Sequence, residues 1–178
     1  SWQNFFYVHT NENARDYKIL RCKHDKIDNL ELFIAPKKET IVGGLEFLDK
    51  YILRGEKSDG IQRLFVRNIN SSLEEEIKIS KEPIGSPGFS FIQKDTNTSK
   101  IRVSWESLAT PNKIFEYDIE TREKKLVKET EVPSGHDPDK YIVERIKAKS
   151  HDGRMIPISL VRLKNSKQDG KSKILLYA

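Results

Sequence analysis

Cysteine is almost missing from this 178-residue chain: Cys22 is the single one, so no internal disulfide framework holds the fold together. Methionine is as scarce, with Met155 alone and none at position 1. No apolar run approaches the roughly 20 residues that span a bilayer, and no basic segment followed by an apolar one marks a secretory leader at Ser1. The expected setting is therefore cytoplasmic, away from membranes. Helical periodicity is also scarce. Its nearest candidate, SSLEEEIKI at Ser71 to Ile79, is too short and too charged to carry a domain.

What is present is a chain able to bury a core, with 36% hydrophobic residues, and a heavily solvated surface, with 33% charged residues. Basic residues number 32 and acidic ones 27, a net charge of +5. The excess lies in KKLVK (Lys124 to Lys128) and RLKNSKQDGKSK (Arg162 to Lys173). No aromatic stacking platform or glycine-rich loop accompanies these lysines, so they read as solvated turns, and no nucleic-acid partner is expected.

Short runs rich in Phe, Tyr, Ile and Val dominate, several alternating apolar with polar residues as half-buried antiparallel strands do. A strand, a tight polar turn and a second strand recur three times, in FFYVHTNENARDYKILRCK, YILRGEKSDGIQRLFVRNI and IRVSWESLATPNKIFEYDI. The copies start at Phe5, Tyr51 and Ile101, offsets of 46 and 50 residues. Such spacing is the signature of β-propeller blades. Three blades close no ring, because propellers have about four to eight, so a lone three-blade unit leaves open faces and unpaired edges. The chain begins mid-pattern and ends in KILLYA, which reads as a piece cut at both ends.

The pattern changes after Glu131. VPSGHDPDKY concentrates Pro133, Gly135 and Pro138 among Ser and Asp residues, the chemistry of a boundary or hinge. VERIKAKS and RMIPISLVRLK follow, joined by His151-Asp152-Gly153 in a hairpin signal. KILLY then reads as a strand buried on both faces of a sheet.

The stretch VPSGHDPDKYIVERIKAKSHDGRMIPISLVRLK followed by KILLY resembles the prolyl oligopeptidase family of serine peptidases, and most closely its oligopeptidase B (protease II) branch. DGIQRL (Asp59 to Leu64) and WESLATPNKIFEYDIETRE (Trp105 to Glu123) are similar to its blade motifs. The resemblance implies a mainly β fragment of an enzyme in which a seven-bladed propeller caps an α/β-hydrolase domain and admits short peptides, cleaved after Lys or Arg. Residues 1–131 would be about three C-terminal blades, 132–141 the crossing segment, and 142–178 the N-terminal hairpin and first buried strand of the hydrolase domain.

Acyl transfer on that fold needs a serine on a strained turn read as GxSxG, with an Asp and a His downstream. No such motif occurs; the nearest cluster, GSPGFS at Gly85 to Ser90, has Pro87 and the wrong spacing. By the resemblance, Tyr177 matches the first tyrosine of LLYGYG, Ala178 stands where glycine is expected, and the oxyanion tyrosine would follow. No catalytic residue, cofactor or metal is expected in this chain, and its substrate-binding residues remain unassigned. Its partners would be the remaining blades, the catalytic domain and short basic peptides. The competing reading is a propeller-derived interaction module or inactive remnant that binds a protein through strand edges.

Individual residues carry sharper alternatives. His136-Asp137 and His151-Asp152 could each be a base and its orienting carboxylate, but sequence neighbours on an extended chain point apart, so both pairs read as turns. Cys22, His24 and His9 match no structural zinc spacing. Glu74, Glu75 and Glu76 could attract a basic peptide, or form a solvated face. Trp2 and Trp105 are expected in blade cores or between blades.

Overall fold

The computed structural model describes residues 1–89 and 95–177. Most of the FSFIQ run, with Ser90 of the GSPGFS cluster, and Ala178 lie outside the described residues. Three successive antiparallel meanders account for residues 5–129. Blade 1 holds β1 (Phe5–Thr10), β2 (Lys18–Lys23) and β3 (Glu31–Ile34). Blade 2 holds β4 (Thr40–Phe47), β5 (Tyr51–Ser58), β6 (Ile61–Asn68) and β7 (Glu74–Ile77). Blade 3 holds β8 (Ser86–Phe89), β9 (Lys100–Glu106), β10 (Lys113–Asp118) and β11 (Lys124–Glu129). A separate hairpin follows, β12 (Tyr141–Lys149) paired with β13 (Met155–Leu163). No α-helix occurs among the described residues.

The three repeats in the sequence are the hairpins β1–β2, β5–β6 and β9–β10. The β5–β6 turn shows why the local sequence closes there. Ser58 pairs with Ile61, leaving Asp59 and Gly60 as a two-residue loop with φ of 51° and 73°. Positive φ at both positions is the turn that matches strand twist, and Asp-Gly supplies it with little strain.

Alternation sends one face of each blade into a seam. Tyr51 and Leu53 of β5, Leu64 and Val66 of β6 and Ile77 of β7 meet Ile101, Val103 and Trp105 of β9 and Tyr117 of β10 in one apolar cluster. Leu53 and Val103 are 0% exposed. At about 1.5–3 kcal/mol per buried large side chain, this seam between blades 2 and 3 is the largest apolar cluster among the described residues. Polar bonds run along its margin: Tyr51 Oη donates to Glu120 Oε1 at 3.1 Å, and Asp49 N–H to Thr96 O at 2.9 Å. Burial first, then that hydrogen bond to Glu120, pushes the Tyr51 phenol above its ordinary pKa.

The seam between blades 1 and 2 is built differently. Ile19, Ile34 and Val42 form a small apolar centre. Charges surround it. Arg54, 2% exposed, lies over the Phe65 ring at 4.7 Å and reaches Glu74 at 2.6 Å and Glu56; Lys37 meets Glu56 at 2.6 Å. Arg67 covers Phe33 across the seam at 5.0 Å.

Three runs singled out in the sequence are placed by the structure. SSLEEEIKI supplies strand β7, not a helical turn, because Ile77 buries in the inter-blade cluster while the glutamates pair with β6. KKLVK, one of the short strand-like runs and the site of part of the basic excess, lies in β11, an exposed edge strand whose lysines are solvated. KILLY forms no strand among the described residues, and Tyr177 is 96% exposed. A strand buried on both faces exists only with neighbours, and no described strand pairs with it.

Two outcomes follow. Leu53→Ala lowers stability by about 3 kcal/mol in denaturant unfolding, whereas Leu126→Ala on exposed β11 changes it by less than about 0.5 kcal/mol. The second concerns acid. Asp118 accepts N–H bonds from Glu120 at 2.9 Å and Thr121 at 3.2 Å, and the Ser99 hydroxyl at 3.3 Å. The Thr121 bond foremost holds its carboxyl below the ordinary 3.8. A lowered folded-state pKa gives stability that is present above the unfolded value and lost as pH falls through the folded one. Asp118→Asn is therefore less stable than the parent near neutrality, and the gap closes as a pH series of melts descends below 3.8.

Candidate functional site

In the meanders of blades 2 and 3, β5, β7 and β9 end on the same side. Their exits are the Asp59-Gly60 turn, the segment 78–85 and the loop 107–112. The crossing segment and β12 settle on this side. Thr130 N–H still bonds Asn112 O at 2.9 Å, and Gly135 N–H then closes a turn on Val132 O at 2.8 Å. His136 follows. Its Nε2 lies 2.6 Å from the carbonyl oxygen of Ala109, and its ring stacks on Tyr141 with centroids 5.3 Å apart. A carbonyl only accepts, so Nε2 carries the proton.

Asp137 turns elsewhere. Its Oδ1 accepts from Asp139 N–H at 3.1 Å and caps the single 3-10 turn Pro138–Lys140, with proline at the start, where no N–H is needed. Val143 then packs with Ile84 and Ala109, with Tyr141 against them. Two residues further, Arg145 donates to Asp59 O and, at 2.5 Å, to Ser159 Oγ, and Lys147 reaches the Asp59 carboxylate at 3.2 Å. A side chain on Gly60 would place its Cβ 2.6 Å from Arg145 Nη2. The turn needs glycine for its conformation, and a Cβ there would push the Arg145 guanidinium aside. His136, Val143, Arg145 and Lys147 thus seat β12 on the ends of both blades.

The other sequence candidates are dispersed. His151 sits at the exposed hairpin tip with Nδ1 3.4 Å from Ser150 Oγ, and Asp152 accepts from Arg154 N–H at 3.1 Å. His9 holds Val42 O at 2.7 Å and stacks on Tyr17; His24 packs on Phe6; Cys22 is a buried free thiol. Among the described residues no three His, Cys, Asp or Glu side chains gather as metal ligands. Glu74, Glu75 and Glu76 each have an arginine, Arg54 at 2.6 Å, Arg122 at 2.6 Å and Arg63 at 3.9 Å. They are cross-links more than a free acidic face. Trp105 lies in the seam, and Trp2 stacks on Phe47 at 5.2 Å. The Asp59 clasp was not foreseen from sequence. The turn itself was legible, but nothing local ties it to arginine and lysine 86 and 88 positions away.

Residues 1–130 match the family model described as prolyl oligopeptidase, N-terminal β-propeller domain. The chain belongs to the prolyl oligopeptidase family. Among its relatives in that family, dipeptidyl aminopeptidase BI of Pseudoxanthomonas mexicana is 30% identical over 96% of this chain and 24% of its own length. Protease 2 of Moraxella lacunata is 22% identical over 99% of this chain and 25% of its own. The fold superposes on oligopeptidase B from Trypanosoma brucei with a TM-score of 0.82 at 21% identity, over 94% of this chain and 25% of that one. The chain spans about a quarter of the length of the relatives it matches. No helix among the described residues is long and apolar enough to cross a membrane.

The clasp has a measurable strength. Asp59→Asn, which tolerates the left-handed turn, removes one exposed ion pair and raises the rate of trypsin cleavage after Lys140 by up to about fivefold at low salt, less at high salt. His136→Ala removes a hydrogen bond that salt does not screen, and raises the same rate by roughly two- to tenfold at either ionic strength.

Proposed function

We propose that this chain is the propeller and hinge portion of a cytoplasmic serine oligopeptidase of the oligopeptidase B type, whose intact form cleaves short peptides after Lys or Arg. In this reading residues 1–131 gate access, 132–141 form the hinge, and 142–178 open the α/β-hydrolase domain, whose nucleophile, acid and base lie outside the chain. The observation that carries it is the seating of β12 on the blade ends through His136, Val143 and Arg145. A propeller whose end is held by few, mainly polar contacts can shut a second domain against itself and release it. Similarity to a protein named Protease 2, and fold likeness to one named oligopeptidase B, support the branch.

The test is an assay of the intact protein on three fluorogenic peptides: one with blocked N-terminus ending in Arg, one ending in Pro, and a dipeptide with a free N-terminus. The Arg peptide is expected to turn over at least tenfold faster than the others. Preference for the free-N-terminal dipeptide would move the protein toward the relative named dipeptidyl aminopeptidase BI. The 178-residue chain alone is expected to show no turnover and no labelling by a serine-directed phosphonate; labelling would overturn the assignment of the nucleophile.

A further inference from the structure

The loop 107–112, between β9 and β10, holds the chain after β11 at two points. Asn112 O accepts from Thr130 N–H at 2.9 Å, and Ala109 O lies 2.6 Å from His136 Nε2. The loop also closes on itself through Ser107. Its N–H donates to Thr110 O at 3.0 Å, and its Oγ accepts the N–H groups of Ala109 and Thr110 at 3.1 and 2.8 Å. Those bonds shape the loop but do not fix where it stands. Its place is set by the segment 78–85, which joins blade 2 to blade 3. From that segment Ile84 packs with Ala109 and Val143, and Glu82 Oε1 accepts from the hydroxyl of Thr110, which is 7% exposed.

Glu82 is an unusual residue to find there. Its Oε2 is buried and has no hydrogen-bond partner among the described residues, and an oxygen left so lowers stability. An apolar side chain would fill the position without that loss, so the carboxylate is explained by the bond it accepts from Thr110. We propose that Glu82 and Thr110 form a latch that sets how tightly the crossing segment is seated. The hydroxyl-to-carboxylate bond fixes the loop, and the loop presents Ala109 O to His136. Both are positioning residues that act through Ala109. A displacement of the connection between blades 2 and 3 is thereby passed to the crossing segment, which it does not adjoin in sequence.

Hydrogen–deuterium exchange of the intact protein tests the latch, read in residues 130–141, where Thr130, Gly135 and Lys140 donate backbone hydrogen bonds. Glu82→Leu and Thr110→Val are each expected to speed exchange there by at least about threefold, part of the roughly tenfold that one hydrogen bond represents. Residues 51–55 and 101–105, in the seam, should keep the parent rate. Glu82→Gln, whose amide oxygen still accepts from Thr110, should stay within about twofold of the parent. Glu82→Leu combined with Thr110→Val should exchange no faster than either alone, because both remove the same bond. Parent rates in both single variants, equal loss of protection in the seam, no rescue by Glu82→Gln, or additive effects in the double variant would each overturn the latch. If Glu82→Leu does not fold, Thr110→Val against Thr110→Ser, which keeps the hydroxyl, decides by the same criterion. Because no turnover is read, loss of the peptidase reading would leave this result standing, and failure of the latch would leave the peptidase reading standing.

Discussion

Everything else in the chain hangs on the apolar seam between blades 2 and 3. A four-stranded sheet has two faces and cannot hide both by itself; here the alternating residues of β5, β6 and β9 hide theirs against each other. The register that buries Leu53 and Val103 also fixes where β5 and β9 end, hence where Asp59, Ala109 and Thr110 stand. A one-residue slip would move Leu53 to the opposite face of the sheet and bring the Arg54 guanidinium into the apolar seam. The contacts of the crossing segment are therefore set by the seam, although most of their residues lie outside it.

The charges divide by a similar logic. Arg54 is tolerated in a buried position because Glu56, Glu74 and the Phe65 ring surround it. Removing any one carboxylate would leave a buried guanidinium underpaired, which is the strongly destabilising case, whereas the intact group adds little net stability over an apolar one. The group holds β5, β6 and β7 of blade 2 together and, through Lys37 on Glu56, ties them to the connection from blade 1. The glutamates of β7 extend this: Glu74 serves within blade 2, and Glu75 reaches Arg122 in blade 3.

The legible part of the sequence was whatever is encoded locally. Period-2 runs around Tyr51 and Ile101, the Asp-Gly and His-Asp-Gly turns and the proline-rich crossing gave the sheet class, the repeats and the β12–β13 hairpin. Glu74 to Glu76 misled because a charged run carries no period until its partners Arg54, Arg63 and Arg122 are known. KILLY forms no strand among the described residues, because burial on two faces belongs to neighbours, not to the run itself. The Asp59 clasp was invisible for the same reason: it joins residues more than 80 positions apart that share no motif. His136 was recognised as belonging to a turn, but its bond to Ala109 O, which makes the turn a seat, required the fold.

Relative magnitudes indicate where the molecule yields first. The seam between blades 2 and 3 buries eleven apolar side chains in one cluster, each contributing about 1.5–3 kcal/mol. The seat of β12 offers one such side chain, Val143, one histidine hydrogen bond, one bond from a partly buried arginine to Asp59 O and one exposed ion pair. At about 1 kcal/mol per hydrogen bond and less for the ion pair, these sum to no more than several kcal/mol. The hairpin also keeps its own cross-strand bonds when it lifts, so release exposes only the seat. Separation at the crossing segment is therefore easier than separation of blades 2 and 3 by a wide margin. The contacts of Val132 to Tyr141 thus give way before the seam between blades 2 and 3 does.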